Sequence, residues 1–208
     1  MRRVTIIDYG HGNANSIKLA LASLGVTSTY SRQIADIDSA DFLILPGVGH
    51  HGAAMRSLRE SELQSALTRA ARERKIPTLG ICLGMQMMTE SSEEGGLPGL
   101  GWVPAATERI KPANRKVFKV PHVGWNVIRK DPSSTLLEGI DTESEPFYFC
   151  HSFAIQAAAG AGSTSLFRYD RDYVAVFERE NIMGVQFHPE KSQEPGARLL
   201  ANFLRLSR

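Results

Sequence analysis

One cysteine and one histidine–glutamate pair are the residues of this sequence whose types and spacing suit nucleophilic catalysis. Cys82 stands in GICLG at 80–84, which has the G-x-nucleophile-x-G pattern of a nucleophile elbow. His188 stands in GVQFHPEK, two residues before Glu190. A thiol nucleophile needs a base, and the base needs a group that orients it. We therefore predict that Cys82, His188 and Glu190 are catalytic.

The elements on either side of Cys82 indicate how its thiol would be displayed. The sequence predicts a strand at Thr78–Ile81 and a helix from residue 83 to about residue 91. Flanking glycines relieve crowding in the sharp turn between them, and the thiol points out at the carboxyl end of the sheet, where ligands bind. The helix N-terminus favours the thiolate, and the Leu83 amide is a candidate oxyanion donor. The alternative is a buried structural cysteine in a tight turn.

His188 follows a predicted strand at 183–187. Pro189 restricts the residue before it to extended geometry, and residues i and i+2 of an extended segment share a side. Glu190 can therefore reach one ring nitrogen of His188 while the other ring nitrogen faces the thiol. The alternative is a surface histidine beside a solvated glutamate.

A second glycine-rich loop, LPGVGHHG at 45–52, ends a different predicted strand. Glycines let backbone amides turn toward a ligand, so Val48 or Gly49 is predicted to donate an N–H group to an oxyanion. The alternative is an ordinary glycine-rich turn between a strand and a helix.

Apolar runs in the first half predict the elements that carry these loops. Val4–Ile7 and the run FLIL at 42–45 are continuous apolar stretches, as expected of strands buried on both faces. The segment NANSIKLALASLG predicts an amphipathic helix with Gly25 as its C-terminal cap. The segment SELQ at 61–64 has the capping-box pattern and predicts the start of a helix, with Leu63, Leu67 and Ala71 facing inward.

The second half is richer in short strands. The predicted strands are 117–120, 125–128, 147–150, 153–156, 174–177 and 183–187, and a final helix is predicted at 196–206. The fold class is therefore predicted as α/β. We expect a single three-layer domain over residues 1–208, with a mostly parallel central sheet flanked by helices. Residues 105–180 are expected to add antiparallel strands to that sheet.

Composition limits the classes of function. The chain has 208 residues and a formal net charge of +2 with dispersed basic residues, which argues against nucleic-acid or membrane-surface binding. No apolar run is long enough to cross a bilayer or to act as a secretory signal. Two cysteines favour a reducing cytoplasm, and Cys150 is predicted to be core because it lies in an apolar run. The six histidines are scattered, so no metal site is predicted.

Taken together, the segments PGVG, GICLGMQ, HS at 151–152 and FHPEKS resemble those of the class I (triad) glutamine amidotransferases. The segments IIDYGHGN, PHVGWN and FYFCHSF narrow the resemblance to the glutaminase subunits of imidazole glycerol phosphate synthase. It covers nearly the whole chain in order and spacing, and it implies a flavodoxin-like fold with a glutamine amidotransferase type 1 domain. His51 departs from the pattern, since an aromatic residue such as phenylalanine is common at its position.

The resemblance implies a thioester mechanism without a cofactor. Cys82 would attack the side-chain amide of L-glutamine, and His188, oriented by Glu190, would pass the proton to the leaving ammonia. Water would then hydrolyse the thioester and release glutamate. The positions implied to bind glutamine or its oxyanion are Gly47, Val48, Gly49, Leu83, Gln86, His151, Ser152 and Phe153.

The resemblance also implies a heterodimer with a (β/α)8-barrel cyclase that uses the ammonia in histidine biosynthesis. Positions implied at the interface or in its coupling network are His11, Asn13, Asn15, His122, Trp125, Tyr148 and Lys191. Other readings stay open at this point. They are a paralogous subunit that serves a surface-sugar amidination enzyme, a stand-alone cysteine peptidase or γ-glutamyl hydrolase, and a non-catalytic scaffold subunit.

Overall fold

A computed structural model describes residues 2–156 and 162–206 of the chain. The strands of this part are β1 (Val4–Ile7), β2 (Ser28–Ser31), β3 (Phe42–Leu45), β4 (Thr78–Ile81), β5 (Thr89–Ser92), β6 (Val103–Arg109), β7 (His122–Asn126), β8 (Phe147–His151), β9 (Phe153–Ile155), β10 (Ser163–Arg168), β11 (Asp172–Arg179) and β12 (Ile182–Val185). The α-helices are α1 (Ala14–Ser23), α2 (Ile34–Asp38), α3 (His51–Glu60), α4 (Leu63–Thr68), α5 (Leu83–Met87) and α6 (Gln193–Arg205). A π-helical turn at Arg69–Glu73 extends α4, and a 3-10 turn at Pro189–Lys191 precedes α6.

The central sheet of the described chain has seven strands in the order β10-β11-β12-β4-β3-β1-β2. The five strands from β12 to β2 are parallel, and β10 and β11 add to one edge in antiparallel orientation. Every residue of β1, β3, β4 and β12 is buried, because helices cover both faces of the sheet. The predicted fold class, with a mostly parallel sheet and antiparallel additions, is confirmed.

Two hydrophobic cores lie on the two faces of this sheet. On one face α1 and α6 pack their apolar residues, including Ile17, Leu21 and Phe203, against β1, β3 and β12. On the other face α3 and α4 contribute Met55 and Leu67 to a second cluster. This arrangement forms the three predicted layers. No helix of residues 2–156 and 162–206 combines the length and the apolar character needed to cross a bilayer.

Not every predicted strand of the second half lies in the central sheet. The pairs β7-β8 and the trio β5-β6-β9 form two small separate sheets, so only β10 and β11 are the expected additions. The predicted strand at 117–120 is wrong, since this stretch is a turn closed by Asn114, whose carbonyl accepts from the amides of Val117 and Phe118. The strand predicted at 125–128 begins earlier, at His122.

Two helix predictions also need correction. The capping box at 61–64 is wrong: Ser61 ends α3 and its hydroxyl donates to the Leu58 carbonyl, while Glu62 adopts a left-handed φ of 60°. The inward residues of α4 are nevertheless buried as predicted. The helix after Cys82 ends at Met87 rather than near residue 91, because the Thr89 hydroxyl donates to the Gln86 carbonyl at 2.7 Å and β5 begins there.

Candidate active site

A cavity of about 260 Å³ lies at the carboxyl edge of the central sheet. It is lined by residues that follow β3, β4 and β12. It contains Cys82 and His188 together with the loop residues Val48 and Gly49, and β8 and its following residues form another wall. This is the edge at which parallel α/β sheets bind ligands. The volume is below the usual range for drug-sized ligands and suits a molecule the size of an amino acid.

Cys82 occupies a strained corner between β4 and α5. Its φ of 52° and ψ of −106° are unusual for a residue with a side chain, and its amide donates to the Val185 carbonyl at 2.8 Å. A Cβ atom at position 84 would lie 1.9 Å from the Leu45 carbonyl oxygen, and one at position 80 would lie 2.7 Å from the Met85 amide nitrogen. The two flanking glycines are therefore required by the close approach of the backbone around the thiol.

His188 and Glu190 form a buried pair next to this corner. The Nδ1 atom of His188 lies 2.8 Å from Oε1 of Glu190, and each side chain is at most 3% exposed. His188 has extended backbone geometry, and the 3-10 turn that starts at Pro189 brings the carboxylate back to the ring. The imidazole is thus held by the carboxylate in the same cavity as the Cys82 thiol.

The charge state of His188 depends on its two partners. Burial lowers the pKa of His188, but its interactions with Cys82 and Glu190 outweigh this effect and raise the pKa to about 10. At neutral pH the ring is therefore an imidazolium facing the sulfur. Such a group can stabilise a thiolate and later donate a proton to a leaving group.

Three residues that line the cavity present backbone amides to consider as hydrogen-bond donors to a ligand. Val48, Gly49 and Leu83 all line the cavity, and Gly49 has a φ of 115°. Within residues 2–156 and 162–206, none of these three amides donates a hydrogen bond to a protein group. They are available to a ligand oxygen, as an oxyanion site requires.

Comparisons with known proteins identify the family of this chain. Residues 5–206 match the family model described as glutamine amidotransferase class-I. The chain is 39% identical to imidazole glycerol phosphate synthase subunit HisH 2 of Methanococcus maripaludis, over 97% of this chain and 98% of that protein. It is also 39% identical to subunit HisH 2 of Pseudomonas aeruginosa, over 98% of this chain and 99% of that protein.

The chain belongs to the class-I glutamine amidotransferase family. These matches confirm the predicted enzyme class and function, a glutaminase subunit of the type found in imidazole glycerol phosphate synthase of histidine biosynthesis. A structure described as a glutamine amidotransferase has a TM-score of 0.65 at 19% identity and covers 97% of this chain and 96% of its own. The glutaminase domain of Trypanosoma brucei CTPS with bound acivicin has a TM-score of 0.66 at 16% identity, with 100% and 96% covered. Both share the fold.

Two histidines of this amidotransferase form a neutral buried pair, of which His151 lines the cavity. Nδ1 of His151 lies 2.8 Å from the Phe153 carbonyl, so it carries the proton, and its Nε2 accepts from Nδ1 of His122 at 3.2 Å. Burial is the main cause that lowers the pKa of His122 to about 4 and that of His151 to about 3. Since both ring nitrogens of His151 have protein partners, its ring has no nitrogen left for glutamine.

The other predicted glutamine-binding residues fall into two groups. Gln86, Ser152 and Phe153 line the cavity. Gly47 does not line it: a Cβ atom there would lie 2.5 Å from Cβ of Leu83, so this glycine lets the loop pack against the elbow. The contact between Gly47 and the substrate stays a prediction.

The site prediction from the sequence did not include Glu94, which lines the cavity, or Gln186, which is buried beside the thiol. Glu94 lines the cavity and accepts the His51 amide at 2.8 Å through Oε2. Gln186 is fully buried, and its amide nitrogen lies 3.7 Å from the Cys82 sulfur. Residues i and i+2 of an extended segment share a side, and this argument applies to Gln186 and His188 as it does to His188 and Glu190. The sequence could therefore have predicted that Gln186 lies on the same side as His188. Nothing comparable marks Glu94, which reaches the cavity through the pairing of β5 with β6.

The residues predicted at a partner interface differ in exposure. Trp125 is 48% exposed, its ring meets that of Tyr148 edge-on, and Nζ of Lys191 lies 5.6 Å from the Tyr148 ring centre. Asn13 and Asn15 are exposed and His11 is half-buried. His122 is buried against Phe149, Phe167 and Tyr169, so it cannot contact a partner directly and can act only through its neighbours.

Cys150 contradicts the prediction that it belongs to the core. It is exposed, because Phe147 and Phe149 point inward and alternate positions of a strand face opposite sides. In the described ranges 2–156 and 162–206, no cluster of three or more histidine, cysteine, aspartate or glutamate side chains could hold a metal ion.

Proposed function

We propose that this amidotransferase hydrolyses L-glutamine at Cys82 and passes the ammonia to a cyclase subunit. The observation that carries the proposal is the strained thiol corner placed beside a buried imidazolium–carboxylate pair in one small cavity. This arrangement contains a nucleophile, an acid–base group and an orienting group. The backbone amides of Val48, Gly49 and Leu83, which donate to no protein group within residues 2–156 and 162–206, supply the fourth requirement, an oxyanion site.

The chemical steps follow from the charges of these groups. The Cys82 thiolate attacks the side-chain carbonyl carbon of glutamine, and the new oxyanion accepts hydrogen bonds from Val48, Gly49 and Leu83. The His188 imidazolium gives its proton to the amide nitrogen, so that the C–N bond breaks and ammonia leaves. Neutral His188 then takes a proton from water, which attacks the thioester and releases glutamate and the thiolate.

Glu94 supports recognition of an amino acid by this cavity. Its Oε2 atom accepts the His51 amide, which fixes the carboxylate at the wall and leaves Oε1 for a cation. An α-ammonium group is the cation that glutamine would present there. Gln86 lines the same cavity, and both hydrogens of its amide nitrogen already have acceptors, so its side-chain oxygen is the group it can offer to the substrate.

The exposed face beside the cavity supports a protein partner. Val123, Trp125 and Val127 are 55%, 48% and 43% exposed, and Tyr148 and Lys191 adjoin them. Exposed aromatic and aliphatic side chains in one patch are typical of interfaces. We place a (β/α)8-barrel cyclase here. It would use the ammonia to form imidazole glycerol phosphate and an aminoimidazole carboxamide ribotide, in the cytoplasm.

Glutamate release measured with and without the purified cyclase and its ribotide substrate tests the proposal. We expect weak release by the chain alone, strong release in the complex, and at least a thousandfold loss with Cys82→Ala. Cys150→Ala is the matched control, since it removes the other cysteine, and it should keep the complex active. Activity in Cys82→Ala would overturn the mechanism. Strong hydrolysis of γ-glutamyl peptides by the chain alone, or activation by a sugar-amidating enzyme instead of the cyclase, would overturn the proposed partner.

A further inference from the structure

Gln186 is a buried polar residue in contact with the nucleophile that the mechanism above does not use. Its side chain is completely buried, and its Nε2 atom lies 3.7 Å from Sγ of Cys82. This distance is within hydrogen-bonding range for a sulfur acceptor. A buried amide without a role beside a reactive sulfur requires an explanation, because burying polar groups is unfavourable unless they form useful hydrogen bonds.

The hydrogen-bond network determines which end of the Gln186 amide faces the sulfur. Nε2 of Gln86 donates at 2.8 Å to the Phe153 carbonyl, which can only accept, so the orientation of the Gln86 amide is fixed. Its second hydrogen points at Oε1 of Gln186, 3.1 Å away. The carbonyl end of Gln186 is therefore used by Gln86, and its N–H end is directed at Cys82.

The backbone fixes the distance between the two side chains. The backbone N–H group of Gln186 donates to the Ala175 carbonyl, and the backbone N–H group of Cys82 donates to the Val185 carbonyl, both at 2.8 Å. In the parallel ladder Val185 stands opposite Ile81, so Gln186 and Cys82 follow the ends of paired strands. Little reorganisation is needed for the N–H group to reach the sulfur.

We propose that Gln186 is a further catalytic residue, which donates an N–H hydrogen bond to the thiolate form of Cys82 and lowers the pH at which the nucleophile ionises. A hydrogen bond donated to the ionised form of a titratable group stabilises that form over the neutral one. The inference rests on the proposed role of Cys82 as the nucleophile. The segment GVQFHPEK would then supply both the base and a second stabilising contact to the sulfur.

Other titratable and charged groups also surround the sulfur. These groups either line the cavity or interact electrostatically with Cys82. They are Tyr9, Glu94, Cys150, His151, His188 with its partner Glu190, and Lys191. His151 is neutral, and His188 and Lys191 are the cations of this set. Gln186 differs from all of them because its contribution does not titrate. Its removal therefore shifts the ionisation of the thiol without adding or deleting a protonation step.

The rate of alkylation by iodoacetamide as a function of pH tests the proposal, in a Cys150→Ser background so that only Cys82 reacts. Gln186→Met keeps the volume and removes the donor, and we expect the midpoint of alkylation to rise by about one pH unit, a tenfold change. Gln186→Glu keeps an acceptor for Gln86 but places a carboxylate oxygen at the sulfur, and its midpoint should rise further. Asn202→Leu is the matched control: Asn202 is another buried amide, and it donates to Leu136 and Glu138 away from the cavity. Its midpoint should be unchanged.

An unchanged midpoint in folded Gln186→Met and Gln186→Glu proteins would overturn the proposal. If these variants do not fold, the wild-type chain provides the measurement: the side-chain amide protons of Gln186 should move downfield in NMR spectra as the thiol ionises. They should show no such movement with pH in Cys82→Ala, and their failure to move in the wild type would also overturn the proposal. Alkylation needs no glutamine turnover. A normal glutaminase with an unshifted midpoint would therefore refute only the role of Gln186, whereas an active Cys82→Ala would refute the proposed function.

Discussion

The substitution Glu190→Gln tests the acid–base pair of the site most directly. It removes the negative charge next to His188 while keeping a carbonyl oxygen that can still accept the Nδ1–H hydrogen bond at a similar distance. The imidazole should therefore remain in place, and the change should act on its protonation rather than on its position. The pair is buried, with side-chain exposures of 3% and 2%, so solvent screens the lost charge very little.

The expected magnitude follows from the pKa of His188. Burial alone lowers this pKa, yet Cys82 and Glu190 together raise it from 6.5 to about 10. Since one pH unit is about 1.4 kcal/mol, the imidazolium is favoured by roughly 5 kcal/mol. If the carboxylate supplies somewhat less than half of this, about 2 kcal/mol, its loss should lower the pKa of His188 by about 1.5.

The assay is the pH dependence of glutamate release by the complex with the cyclase. In the wild type the alkaline limb should fall near pH 10, where His188 loses the proton that the leaving ammonia needs. In Glu190→Gln this limb should move to about pH 8.5, so kcat near pH 9.5 should fall by about tenfold. At neutral pH the ring stays protonated in both proteins, and kcat should change little. Glu194→Gln is the matched control, because Glu194 is 82% exposed and lies one turn further along the chain. Its profile should match that of the wild type.

Stability should follow the same protonation. His188 binds its proton more tightly in the folded chain, so the stabilisation is fully present below pH 6.5 and is lost as the pH rises toward about 10. The urea midpoint of the wild type should therefore fall across this range, and that of Glu190→Gln should fall less. If a folded Glu190→Gln protein keeps both the alkaline limb and the stability profile of the wild type, the carboxylate does not set the charge of His188 and the reasoning is wrong.

Three further predictions concern packing and exposure. The His51 ring is fully buried, and neither of its nitrogens has a hydrogen-bond partner in the part of the chain that the structure describes. Burial is the main cause that lowers its pKa to about 4, so His51→Phe should raise the free energy of unfolding by about 1–3 kcal/mol in urea denaturation. Gly84→Ala should lower the free energy of unfolding in urea by about 3 kcal/mol or more, because the added Cβ would overlap the Leu45 carbonyl. Gly96→Ala is the control, since a Cβ there would meet open space, and it should lower the free energy of unfolding by only about 1 kcal/mol. Cys150 should react with an aromatic disulfide reagent in folded Cys82→Ala protein, and an unreactive thiol would contradict its exposure.

The central sheet was predictable because burial on both faces leaves a simple pattern. The strands Val4–Ile7, Phe42–Leu45 and Thr78–Ile81 are continuous apolar runs, and each is completely buried in the structure. Such a run has one stable location in a three-layer domain, the interior of a parallel sheet. The predicted carboxyl-edge position of the thiol follows from the same argument, since a loop after a buried strand must emerge there.

Errors arose where a local side-chain bond competed with the pattern. At SELQ the Ser61 hydroxyl closes the preceding helix instead of opening the next one. The segment 117–120 has strand-like composition, but the side chain and carbonyl of Asn114 accept hydrogen bonds from three backbone amides, those of Lys116, Val117 and Phe118. These bonds form a turn in place of the predicted strand. Asparagine and serine offer the backbone an alternative to helix or ladder bonds, and composition alone does not show which is taken.

Cys150 shows that the period of a strand is more informative than its mean hydropathy. The run FYFCHSF is mostly apolar, which suggested that Cys150 is in the core, but only alternate residues of a strand face the same side of the two-stranded sheet. Since Phe147 and Phe149 fill the interior, Cys150 must face outward. The alternation was visible in the sequence, whereas Glu94 could not be found this way because its place depends on the pairing of β5 with β6 and not on the period of one strand.

The same period explains why one strand end can supply most of the candidate site. Val185 and the amide of Cys82 are joined by the ladder that pairs β12 with β4, so the residues after β12 emerge beside the thiol. Gln186 and His188 stand two residues apart and both face the sulfur, one as an uncharged donor and the other as a cation. The turn at Pro189 then bends the chain so that Glu190 meets the far side of the imidazole. A shift of this ladder by one residue would turn all these groups away together, so the chemistry of the site depends on strand register as much as on residue identity.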